Sequence, residues 1–273
     1  MTSNLASSYP ADAVITATIP VAVADVLSPS QCKTFLQCTA RWYFKYVEQL
    51  PDVCTGNLAL GRAVHAAVAQ HFRYRQTNGR IPPIAEMLET YGDAIRRELA
   101  TAELRDDEDA GELAAIGARC VEAYLTQAAP AITPALVEHL VAGEIGGVRV
   151  RVRGYVDLMD VEGRIIDLKT ASKKPASITA DYKLQLAMYV MTTPGATSAR
   201  LDTITKQKTS QWVPQSYTLD DGERRYVETL LPILQDGMKD GRYWPSRDHN
   251  LCSRKYCPFW RACEQEFGGQ VKA

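Results

Sequence analysis

At 273 residues the chain can bury one substantial core, or one core with a helical attachment, and it is too short for two large domains. Hydrophobic residues make up 46% and charged residues 23%, which excludes a wholly disordered chain. The net charge of −1 hides an asymmetry: Glu86 to Glu112 holds ten acidic and three basic residues, a local −7 that leaves the remainder at +6 and able to meet an anionic partner.

There is no run of eighteen apolar residues and no basic, apolar, small-residue leader, so a cytoplasmic location is expected, the host cytoplasm if the chain is phage-encoded. Cys32, Cys38 and Cys54 lie early, Cys120 lies centrally, and Cys252, Cys257 and Cys263 lie late. An odd, uneven set is a poor disulfide framework and a better source of metal ligands in a reducing compartment.

Residues 1–24 read as an irregular lead-in with Pro10 and Pro20, and the rest, 25–273, as a single domain. Ser28-Pro29-Ser30 is a helix start, and Phe35, Cys38, Trp42, Tyr43 and Tyr46 then recur at helical spacing. A second helix is expected from Leu58 to Phe72. Pro82-Pro83 opens a helical insertion over about 82–130, interrupted near 105–110.

The period changes at Ala135–Ile145, a strand followed by the Gly146-Gly147 turn and by Val148–Arg153, where valines alternate with arginines. That strand runs on through Tyr155 and Asp157, and another begins at Arg164. A helix over 178–191, a strand over 201–206 and a helix over 221–240 follow. The layout is α/β, a mixed central sheet flanked by helices with its core over about 135–210. The tail over 241–263 has no clean period and needs something other than a hydrophobic face to hold it.

Asp167 and Lys169 stand two apart on a strand, so both side chains leave one face. A carboxylate beside an ammonium suits phosphodiester hydrolysis: the acid binds a divalent cation, and the lysine positions or activates water and offsets charge developing on phosphate. Asp157, on the preceding strand, can add a second carboxylate. Hard oxygen donors favour Mg2+ or Mn2+ over zinc. An Asp-x-Lys alone also occurs on ordinary solvated strands.

The wider pattern resembles the PD-(D/E)xK nuclease superfamily, with its restriction-endonuclease-like fold, and in particular its RecB-like exonuclease branch. Gly61 and His65 match a Gly-x-x-x-His motif, Gly154-Tyr155-Val156-Asp157 a Gly-x-x-Asp motif, Asp167-Leu168-Lys169 the Asp-x-Lys, and Gln185 to Tyr189 a Gln-x-x-x-Tyr motif, in family order. The resemblance implies that His65, Asp157 and Asp167 surround a metal, that Lys169 works beside them, and that Gln185 and Tyr189 pack across the site. It also implies a further acid from the strand before the hairpin, Glu138 or Glu144, and Lys183 is placed to touch phosphate. The absent side chain of Gly61 is expected to permit close packing.

Cys252, Cys257 and Cys263 are three thiolates in one segment, to which a zinc site would add His249 or an early cysteine. The resemblance implies instead a 4Fe-4S cluster held by those three and Cys38. Thr39 replaces the proline usual after the first cysteine, and the first C-terminal gap is four residues rather than two, which leaves Cys32 open beside Cys38.

The implied partner is DNA with ends or single strands; Arg149, Arg151 and Arg153 either track its backbone or form a solvated strand face, and Trp42, Tyr43 and Trp212 either stack on bases or pack in the core. No Gly-x4-Gly-Lys-Ser/Thr segment occurs, so a helicase would be another protein. An annealing protein, a CRISPR protein or a homo-oligomer are further assemblies the resemblance leaves open. Its alternatives are a CRISPR spacer-processing nuclease and an inactive, cluster-stabilised DNA-binding adaptor.

Overall fold

The computed structural model describes residues 15–16 and 21–273; most of the expected lead-in, residues 1–14 and 17–20, lies outside the described residues. Two compact units emerge. One combines the described residues up to Asp52 with Leu230–Ala273, and the other is the continuous stretch Val53–Thr229.

The two-ended unit begins with β1 (Ile15–Thr16), α1 (Val21–Asp25) and β2 (Val26–Leu27). Ser28 then caps α2 (Pro29–Gln37), its hydroxyl accepting from the Gln31 N–H at 3.2 Å, with Pro29 in the first turn, where its missing N–H costs nothing. The single helix expected here is broken. Cys38 is extended (φ −165°, ψ 114°) and caps a second piece, α3 (Thr39–Trp42), which continues as a π-helical turn over Tyr43–Val47.

Aromatic packing makes this unit's interior. Trp42 sits edge-on to Phe35 at 5.5 Å, and Tyr43 stacks on Tyr243 at 5.0 Å. Trp42 is fully buried and Tyr43 nearly so, which removes both from the set of base-stacking side chains.

In the continuous unit, Thr55 caps α4 (Gly56–Asn78) and Gly79, at φ 66°, closes it in the left-handed region. Glu108 also serves this N-terminus, accepting the N–H groups of Gly56 and Asn57 at 3.2 and 3.1 Å. One member of the acidic run is therefore a structural cap. The insertion is a helix pair, α5 (Ile84–Leu99) and α6 (Ala110–Gln127), which packs on α4 through Leu60, Val64, Phe72, Tyr91, Val121 and Tyr124. Glu86, Glu89 and Asp93 lie on its exposed side.

Five strands follow: β3 (Pro134–Ile145), β4 (Val150–Asp160), β5 (Arg164–Ala171), then, after α7 (Ala180–Thr192), β6 (Ser198–Thr205) and β7 (Trp212–Tyr217). β3 and β4 are antiparallel over their length, whereas β4 and β5 share only the Leu158↔Ile166 and Met159↔Ile165 pairs. β5 and β6 are parallel, as a helical crossover requires, and β7 returns antiparallel. The result is a mixed sheet flanked by helices.

Val150 and Val152 are buried while Arg151 and Arg153 are exposed, as the alternation predicts. Arg149, however, belongs to the turn at φ 53° and not to the strand. α8 (Asp221–Lys239) leads back into the two-ended unit, which ends with β8 (Arg242–Tyr243), paired with β1, and α9 (Trp260–Phe267). α9 begins inside the tail expected to be irregular and runs past its end; Arg254 and Arg261 lie over its Trp260 ring at 4.6 and 5.0 Å.

Candidate active site

The short β4–β5 ladder creates the site. Beyond Leu158↔Ile166 the strands stop pairing, and the Leu168 N–H that the ladder leaves is accepted by the Asp157 carboxylate at 2.8 Å. His65, from α4, brings its Nδ1 to 3.5 Å from the other Asp157 oxygen. Glu138 joins them from β3, and one ligand atom from each of His65, Glu138 and Asp157 lies within 4.8 Å of the others. Glu144 lies instead opposite Arg151 on the exposed arm.

Asp167 stands beside this trio on β5. One oxygen accepts from Gln185 Nε2 at 2.9 Å, and the other faces the Lys169 ammonium at 2.5 Å. Gln185 Nε2 also lies 3.5 Å from the Tyr189 hydroxyl, so the two α7 residues form one polar edge over the carboxylate. Tyr182, one turn earlier and not singled out from the sequence, places its ring 5.6 Å from the Lys169 ammonium. Its spacing three before Gln185 on α7 was the available signal.

The glycines of the motifs differ in role. A Cβ on Gly154 would come within 2.7 Å of the buried Tyr189 ring, so the first residue of Gly-x-x-Asp is fixed by contact with the last residue of Gln-x-x-x-Tyr. A Cβ on Gly61 would meet Thr170 at 3.7 Å, an ordinary contact, and the close packing expected there is absent. Lys183 pairs with Glu223 at 3.3 Å, and Trp212 carries the Arg200 guanidinium over its ring at 5.3 Å.

Burial opposes every charge here, and the partners decide the outcome. Asp157 is held below the usual carboxylate range because His65 and Lys169 outweigh its burial. Asp167 is raised by burial and by Asp157 beside it, over the pull of Lys169. Glu138 is likewise raised by burial and by Asp157. For His65, burial is outweighed by Asp157 and the imidazole is raised; for Lys169, Asp167 and Asp157 outweigh burial and keep the ammonium charged. Crowded carboxylates that disfavour one another's ionisation are what a divalent cation relieves, so the donor set fits one.

Residues 26–264 match the sequence profile of the PD-(D/E)XK nuclease superfamily. The chain belongs to that superfamily. No curated protein matches it. The nuclease fold is similar to that of a "Putative exonuclease" from Eubacterium rectale, with a TM-score of 0.54 and 13% identity over 85% of this chain and 88% of that one. A second solved chain, SSO0001, is 17% identical over 87% of this chain and 95% of its own, with a TM-score of 0.35.

The nuclease has a second cluster of metal-type ligands, within its two-ended unit. Cys38, Cys252, Cys257 and Cys263 line one cavity, together with His249 and Arg41. Cys32 is buried elsewhere and its thiol is pushed up to about 12 by that burial. Cys38 Sγ accepts two backbone N–H groups, from Arg41 and Ser246, each at 3.4 Å. Burial pushes Cys263 up to about 11, against the pull of Arg247. Among the described residues no three of these sulfurs and His249 approach within 4.8 Å of one another. A tetrahedral zinc, with Zn–S near 2.3 Å, needs them about 3.8 Å apart.

Proposed function

We propose that this nuclease is a divalent-metal-dependent DNA exonuclease of the RecB-like branch, acting on DNA ends or single strands in recombination, replication or repair. The observation that carries the reading is the meeting of His65, Glu138 and Asp157 within 4.8 Å, beside the Asp167–Lys169 pair. The order of the four motifs and the name of the Eubacterium rectale fold relative support the exonuclease part.

In this reading His65, Glu138, Asp157 and Asp167 hold Mg2+ or Mn2+, which when bound supplies Lewis acidity toward phosphate and a more acidic water. Asp157, ionised and anchored on the Leu168 N–H, is a ready oxygen donor. Gln185 fixes the orientation of Asp167, and Tyr189 holds Gln185 and β4 in place. Lys169 stays protonated through neutral pH, so its role is to orient the attacking water and to offset charge on the phosphate oxygens, not to accept the proton. Cleavage releases a phosphate-terminated and a hydroxyl-terminated strand.

Cys38, Cys252, Cys257 and Cys263 hold a 4Fe-4S cluster in the same reading. The lining of one cavity by all four cysteines supports that cluster, whose usual count of protein ligands is four thiolates. Its role is to staple the tail to α2 and α3 without redox turnover.

Digestion of end-labelled single- and double-stranded DNA with Mg2+ or Mn2+ tests the enzyme, with covalently closed circles as the substrate an exonuclease spares. Lys169→Ala should lose about 100-fold or more in rate while still binding DNA; cleavage at the wild-type rate would overturn the assignment. Iron and acid-labile sulfide in the purified protein, both lost with Cys257→Ala, test the cluster.

A further inference from the structure

The outer face of the β3–β4 arm continues straight from the metal-site residues. The register Val137↔Leu158 and His139↔Val156 sets Glu138 opposite Asp157, after which Leu140 faces Tyr155, Ala142 faces Arg153 and Glu144 faces Arg151. Strand residues two apart leave the same face. All six of those outer residues from Leu140 and Tyr155 onward are exposed, while Val141, Ile145, Val150, Val152 and Val156 between them are buried.

The first rung is unusual for a surface. Leu140 is 44% exposed and Tyr155 56%, two large apolar side chains directly across from one another and about 7 Å along the strands from the metal-site carboxylates. The next two rungs carry Arg153, across from Ala142, and Arg151, across from Glu144, and both guanidiniums are exposed. An aromatic platform followed by exposed guanidiniums has the composition of a single-strand groove: every unpaired base offers a face to stack, and each phosphate offers a charge. A paired, stacked duplex keeps its base faces to itself.

We propose that this face is the track of an unpaired DNA strand, with Tyr155 and Leu140 stacking the base beside the scissile phosphate and Arg153 and Arg151 holding the backbone beyond it. The proposal rests on the nuclease reading and narrows it, since it makes local strand separation a condition of entry. Tyr155 and Leu140 become the residues that set single-strand preference.

Fluorescence anisotropy with labelled oligonucleotides, in Ca2+ so that binding is read without turnover, tests it. Tyr155→Ala should weaken single-strand binding about 5- to 100-fold, Tyr155→Phe should restore it, and blunt duplex binding should not change. Arg151→Ala with Arg153→Ala should flatten the salt dependence of single-strand binding by a slope of about 1. In Mg2+, an abasic nucleotide next to the cleaved phosphate should slow the wild type and leave Tyr155→Ala no slower than before. Wild-type single-strand affinity in Tyr155→Ala, or equal losses for both DNA forms, would overturn the track. Cleavage by the wild type alongside that result would leave the nuclease reading standing, and binding in Ca2+ decides the track even if no DNA is cut.

Discussion

Glu138 adopts φ 44°, a left-handed backbone that costs a residue bearing a Cβ about 1–2 kcal/mol and that strands rarely contain. It stands at the point where β3 delivers a carboxylate toward Asp157, whose charge opposes its ionisation. Without metal that opposition is a cost to the folded chain. Glu138→Gln should therefore raise the melting temperature in chelator, by the equivalent of about 1 kcal/mol or less, and weaken the further rise on adding Mg2+. A melt in which the variant loses stability in chelator, or keeps the full Mg2+ response, would count against Glu138 as a ligand.

Gly154 makes a sterically sharper case. Its alanine variant must displace the Tyr189 ring from a 2.7 Å approach, so Gly154→Ala should cost about 1–3 kcal/mol in denaturant melts, and less when Tyr189 is also alanine. The sequence sets Asp167 and Lys169 two apart on one strand and Gln185 and Tyr189 one turn apart on one helix, and the structure brings Asp167 against both Lys169 and Gln185. The choice of Glu138 over Glu144 was not legible there, since both alternate onto the same side of β3 and only the register with β4 separates them.

At the scale of elements, α4 holds His65, and its N-terminus is bound by Glu108 from a segment 51 residues away. Glu108→Ala should lose about 1–2 kcal/mol of stability. The Glu108 carboxyl is lowered despite its burial, because the N–H groups of Arg105, Asn57 and Gly56 and the Asn57 amide favour its charge. That contribution is full above the ordinary glutamate value of 4.5 and is lost as pH falls through the lowered folded value. Equal acid sensitivity in wild type and Glu108→Ala would refute it.

Long periodic elements were legible here, and breaks were not. The aromatic spacing from Phe35 to Tyr46 conceals the extended residue at Cys38, because side-chain period survives a single backbone kink. β7 gave no strand signal since Pro214 interrupts it, and its place at the end of the sheet order makes that proline tolerable.

For the molecule as a whole, acid stability should be governed by His71 as well. Neither ring nitrogen of this buried α4 residue has a hydrogen-bond partner, and burial with Arg75 nearby lowers it from 6.5 to about 4. A neutral buried imidazole is tolerated above pH 6.5, and stability then falls by up to about 3 kcal/mol as pH drops from 6.5 toward 4, where the unfolded chain binds the proton first. His71→Leu should flatten that part of the pH profile. An unchanged slope between those values would show that another group dominates.

The two-ended unit sets an order of events in the cell. Cys38 accepts the N–H of Ser246, which is 208 residues later in the chain. At about 5–20 residues per second a ribosome needs tens of seconds to join them, during which the continuous Val53–Thr229 unit is already available to fold. The cysteine cavity waits for the late cysteines to meet Cys38, whereas the carboxylates and the lysine of the other site all lie on the one continuous stretch that precedes them.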